Sequence, residues 1–136
     1  MRKNSVILRL PRQHMPDGFN YPVEFDEFVT QLTDENEIKP WGLTASHEFN
    51  VELSEMFQMN LIQFAQAWLE DMVACFLVGS GIDPKVLVVN PWNEINGNAE
   101  SPEGVILEEL PNFSAWLIWV RNSELVQLYA QGDAKN

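Results

Sequence analysis

Residues 54–76 read SEMFQMNLIQFAQAWLEDMVACF. Leu61, Ala65, Trp68, Leu69, Met72, Val73 and Phe76 recur at the 3.6-residue period, while Gln58, Gln63, Gln66, Glu70 and Asp71 fall off that stripe. The spacing predicts one long central helix over 54–76. Gly79 and Gly81 follow it and suit a left-handed C-terminal cap. The rest of the fold is assembled around this element.

On its N-terminal side, residues 44–59 read two ways. Thr44-Ala-Ser-His47 opens a helix with Phe49, Leu53, Met56 and Phe57 on one face, which sets Glu48, Glu52 and Glu55 at i, i+4 and i+7. Alternatively Phe49, Val51 and Leu53 alternate with Glu48, Asn50 and Glu52 as a strand over 47–53, the helix then starting near Ser54. Of the two, the strand is preferred. Further upstream, Phe25, Phe28, Val29 and Leu32 share one face of a helix over 23–33, whose acidic first turn complements the helix dipole. Residues 11–22 hold three prolines and a Pro-Asp-Gly, so they form a loop, and Ser5–Leu10 (SVILRL) reads as a short strand.

On the C-terminal side, Val86–Val89 is a continuous apolar run of the kind found in buried strands. Residues 90–102 have loop composition, and Gly104–Leu110 is a further strand. Ala115–Arg121 and Glu124–Ala130 flank Asn122-Ser123, which predicts a hairpin on the density of β-branched and aromatic residues; a helix begun at Ser114 competes. The sum is one α+β domain over residues 1–136, with an antiparallel β-meander in its C-terminal half packed on the long central helix and on one or two N-terminal helices.

Charge is distributed unevenly along this chain. Its 8 lysines and arginines and 20 carboxylates give a net charge of −12. Yet residues 1–14 hold Arg2, Lys3, Arg9, Arg12 and His14 with no acid, and residues 17–71 hold twelve acids against Lys39 alone. Such a balance disfavours nucleic acid and anionic membrane surfaces, and a basic protein is the natural complement. An apolar content of 46% with five tryptophans excludes a disordered acidic tail. The basic start carries too short an apolar stretch for a secretory signal, no run is long enough to span a bilayer, and the single cysteine excludes a disulfide framework within one chain; together these predict a cytoplasmic protein.

Residues that could carry chemistry are few, and the expectation is of a protein that is not an enzyme and takes no cofactor or metal. His14 and His47 lack the close spacing of a helical ligand pair. Cys75 sits in an apolar run and reads as a small hydrophobe. Gly79-Ser-Gly81 lacks a following Walker lysine. A weak enzymatic alternative would require His14 and His47 to share a site with carboxylates.

The expected role is binding. The distribution of acids predicts an inhibitor that occludes the active or nucleic-acid-binding surface of a basic partner, as an immunity protein does to a bacterial nuclease toxin. Its contact residues are expected to be Asp34, Glu35, Glu37, Glu48, Glu52 and Glu55, with loop tryptophans Trp41 and Trp92 as aromatic anchors. The alternative is a non-catalytic scaffold or assembly subunit that self-associates through an AWLIWV edge strand, residues 115–120.

Overall fold

The computed structural model describes residues 9–31, 38, 40–67, 71–79, 81, 83–91 and 104–123. After a single 3-10 turn at Arg12–His14, the elements run α1 (Val23–Gln31), β1 (Trp41–Leu43), α2 (His47–Phe57), β2 (Leu61–Ala67), β3 (Met72–Leu77), β4 (Val86–Asn90), β5 (Val105–Leu110) and α3 (Phe113–Arg121). The strands form one sheet in the order β1-β2-β3-β4-β5, every neighbour antiparallel. This is an α+β meander, as the sequence predicts.

The long central helix is absent. Residues 61–77 form two strands, joined at a turn where Asp71 takes a left-handed φ of 55°. Two features of the strands explain the helical reading. First, the sheet is covered on both faces, so β2 and β3 are buried on both sides and show no polar alternation. Second, β2 carries a bulge: Gln63 faces Cys75 and Ala65 faces Ala74, leaving Phe64 as the extra residue. Before the bulge Ile62 and Phe64 point toward α1 and α3; after it Ala65 and Ala67 do. The switch of parity erases the period of two. The connection between the strands, Trp68-Leu-Glu-Asp71, also lacks glycine, proline and asparagine.

On one face, α1 and α3 cover an aromatic core. Phe64 of β2 stacks on Phe76 of β3 with ring centroids 4.4 Å apart. Phe25 of α1 meets both rings edge-on, and Phe113 and Trp116 of α3 close over Phe64 at 5.4 and 4.8 Å. The other face is covered by α2, whose Leu53 packs with Leu61, Val73, Cys75, Leu87 and Val89, flanked by Phe49 and Phe57. Gly104 precedes β5 because a Cβ there would collide with the Phe57 ring.

Residues 113–121 form α3 and not a hairpin strand. Asn112 caps it, its side chain accepting from the Ala115 amide at 2.9 Å, and Phe113, Trp116 and Val120 line its buried face at i, i+3 and i+7. The expected partner strand at 124–130 lies outside the described residues, as does most of the Ser5–Leu10 strand. The helix over 23–33 is found as α1, and Val86–Val89 and Gly104–Leu110 correspond to β4 and β5.

The basic leading segment is tied onto the acidic body. The Leu10 amide donates to the Tyr21 hydroxyl at 2.9 Å in a buried setting, and Arg9 Nε pairs with Asp26 Oδ1 at 2.6 Å. Burial raises the pKa of Tyr21, against smaller lowering effects from the Leu10 amide and Arg9. Burial also pushes the Cys75 thiol up, well out of the range of a nucleophile.

Truncation of the central ring, Phe64→Ala, is expected to cost about 3–5 kcal/mol in urea unfolding, against a change within about 0.5 kcal/mol for the exposed Val23→Ala. Tyr21 and Cys75 are held neutral in the fold, so the folded state keeps these protons to higher pH than the unfolded chain. Their contribution is complete below the ordinary thiol value of 9.0 and is lost as pH rises beyond it. Stability measured between neutral pH and strong alkali should therefore fall, and Cys75→Ala should flatten that decline.

Candidate functional site

Residues 47–57 are helical because their termini are satisfied. The Ser46 side chain accepts from the Phe49 amide at 3.2 Å, with Glu48 in the first turn. At the far end Gln58 adopts φ 56° and its amide returns to the Ser54 carbonyl. The strand preferred over 47–53 is thereby corrected to helix. The helical face Phe49, Leu53 and Phe57 finds the sheet, whereas Met56, expected beside them, is 40% exposed.

Two polar side chains fix α2 in place. β1 pairs with β2 only over residues 65–67, leaving the N-terminal part of that edge without a strand partner among the described residues. There Asn50 Oδ1 accepts from the Gln63 amide at 2.8 Å, and Ser54 Oγ accepts from the Leu61 amide at 3.0 Å. Asn50 and Ser54 are one helical turn apart and Leu61 and Gln63 two strand residues apart, so one helix face supplies the acceptors a neighbouring strand would have offered.

This docking turns Glu48, Glu52 and Glu55 outward, all exposed and within about 60° of arc at 100° per residue. Val51 and Met56 flank them on either side, 44% and 40% exposed. Among the described residues no cation is paired with these three carboxylates. The other expected contacts divide. Trp41 is in β1, 3% exposed and packed edge-on against Trp116 at 5.4 Å, so it is a core residue with no surface to offer a partner. Its neighbours Pro40 and Gly42 suggest a loop, but the side chain is claimed by α3. Asp34, Glu35, Glu37 and Trp92 lie outside the described residues.

The fold brings together two histidines that lie far apart in the chain. His14, from the turn after the basic segment, stacks on His47 at the start of α2, with centroids 4.2 Å apart and planes 17° from parallel. Separated by 33 positions in the chain, the two rings give no local signal of their pairing. They line a groove of about 550 Å³ between residues 13–16, α2 and the start of β2. Met15, Val51 and Ile62 supply apolar lining, Glu55 a carboxylate and Asn50 an amide. The two histidines named by the enzymatic alternative thus meet, in a groove that Glu55 also lines; among the described residues no three His, Cys, Asp or Glu side chains gather as a metal would require. Stacked rings also present their nitrogens at their edges, not toward one another.

Ser54→Ala removes the acceptor from the Leu61 amide and should cost about 1–3 kcal/mol, the range for an abandoned buried donor. Ser54→Thr, which keeps the hydroxyl, should recover part of it in the same chemical unfolding assay. Compared with protein-family models, curated proteins and solved structures, the chain matches none.

Proposed function

We propose that this chain is an acidic binding protein that inhibits a basic protein partner by covering its active or nucleic-acid-binding surface, in the manner of an immunity protein neutralising a bacterial nuclease toxin in the cytoplasm. The observation that carries the proposal is the outer face of α2. Three carboxylates, without a paired cation among the described residues and flanked by exposed Val51 and Met56, sit on a helix fixed to the sheet by Asn50 and Ser54. Carboxylates so arranged complement the lysines and arginines with which a nuclease grips phosphates, and the apolar pair supplies contact area that can be desolvated. A rigid helix presents them without an ordering cost at the moment of binding. A net charge of −12 steers a cationic partner from a distance.

The scaffold alternative loses its stated basis, since AWLIWV lies in α3 with Trp116 buried. A different edge gives it some footing. β5 is the last strand of the sheet, with Ile106 and Leu107 43% and 46% exposed. Of the two, α2 carries the stronger argument because its charge has a complement and its exposed residues cluster on one face.

The test mixes this chain in stopped flow with the product of the neighbouring gene, which this reading expects to be a basic protein. Association should slow about 10- to 1000-fold between low and high salt. The triple variant Glu48→Lys, Glu52→Lys and Glu55→Lys should abolish capture while its circular dichroism is unchanged. Salt-independent association, or full capture by the triple variant, would overturn the assignment to α2.

A further inference from the structure

Among the described residues β5 ends the sheet, so its main chain bonds to β4 on one side and meets no strand on the other. Free N–H and C=O groups along such an edge template further pairing, and folded proteins commonly close them with lysine, proline or a covering element. None of the six residues of β5 is a lysine or a proline. Instead Ile106 and Leu107 stand in the open, 43% and 46% exposed, followed by exposed Glu108 and Glu109.

A bulge distributes these side chains over the two sides of the sheet. Val89 is in register with Ile106 and Val88 with Glu108, leaving Leu107 as the extra residue. Val89 packs beneath α2 and Val88 in the core under α1 and α3, so Ile106 stands on the α2 side and Glu108 on the opposite side. Glu109 is engaged by Lys85 at 2.9 Å, whereas Glu108 pairs with no cation among the described residues. Charge decides the occupant. A second copy would bring the same carboxylates and a further net charge of −12, so self-pairing is opposed. A strand with lysine or arginine opposite Glu108 gains a cross-strand ion pair and covers the exposed aliphatic residues as well.

We infer that the edge of β5 takes up an extended basic segment of another protein as a sixth strand of the sheet. Main-chain hydrogen bonds hold the segment, and Glu108 selects its charge. This surface lies on a different element from the outer face of α2 and does not depend on the reading of that helix.

The test adds millimolar acetyl-Val-Lys-Val-Lys-Val-amide to the full chain at physiological salt and follows backbone amides by ¹⁵N NMR. Those of Val105–Leu110 should move saturably. The same peptide N-methylated at every amide keeps its charge but loses its donors, and should leave them in place. So should acetyl-Val-Glu-Val-Glu-Val-amide. Glu108→Gln, an exposed change, should weaken the lysine peptide about two- to fivefold. The triple lysine variant of α2 should still take the peptide up at β5. Equal response to the N-methylated or the glutamate peptide overturns the proposal. Fixed β5 amides, while those of Glu48 and Glu52 move, overturn it too and leave the reading of α2 intact. Saturable movement at β5, alongside salt-independent capture of the whole partner, upholds the edge and removes only the α2 reading.

Discussion

The bond from the Gln63 amide to Asn50 Oδ1, with its companion from Leu61 to Ser54, is the constraint on which the functional surface depends. A helix laid over a sheet is normally held by apolar contacts that allow some sliding and rotation. Here two side chains one turn apart dock into the backbone of an unpaired strand edge, which sets both the rotation of α2 and its height along β2. Leu53 then falls among Leu61, Val73 and Leu87, and Glu48, Glu52 and Glu55 have no direction left except outward. The same arrangement leaves Asn50 Nδ2 buried with no acceptor among the described residues.

The uneven charge acquires a structural meaning from this arrangement. Part of the basic leading segment is folded back on the acidic body, where Arg9 pairs with Asp26 and Leu10 is anchored on Tyr21. The pairing is half-exposed and contributes little energy. The buried bond from Leu10 to Tyr21 and the stacking of His14 on His47 do more to place the turn that forms one wall of the groove. Segment 9–16 thus relieves self-repulsion near α1, while the carboxylates of α2 are left without a paired cation among the described residues.

Much of the architecture is legible in the sequence wherever a single face is apolar. The 3.6-residue spacing of Phe25, Phe28 and Val29 gives α1, and the apolar run Val86–Val89 gives β4, because in each case pattern and burial agree. Legibility fails where tertiary structure covers both faces. β2 and β3 are buried on both faces, the bulge at Phe64 reverses the parity of β2, and the remaining spacing imitates a helix. At α3 the aromatic and β-branched residues favour a strand locally, yet Asn112 caps a helix whose Trp116 completes the aromatic core. In the candidate site, the alignment of Glu48, Glu52 and Glu55 is visible as a helical spacing. Trp41 is misread because nothing local reveals that α3 packs over it, and the His14–His47 pair is invisible because contact across 33 positions leaves no periodic trace.

The central claim is that α2 is clamped on the edge of β2, and amide hydrogen exchange at Leu61 and Gln63 tests it most directly. Both amides point to an edge with no neighbouring strand among the described residues, where their acceptors are Ser54 and Asn50. Both should exchange as slowly as the amides between β3 and β4, and Ser54→Ala should release Leu61 first. Rapid exchange at both positions, with β3 and β4 still protected, would contradict it.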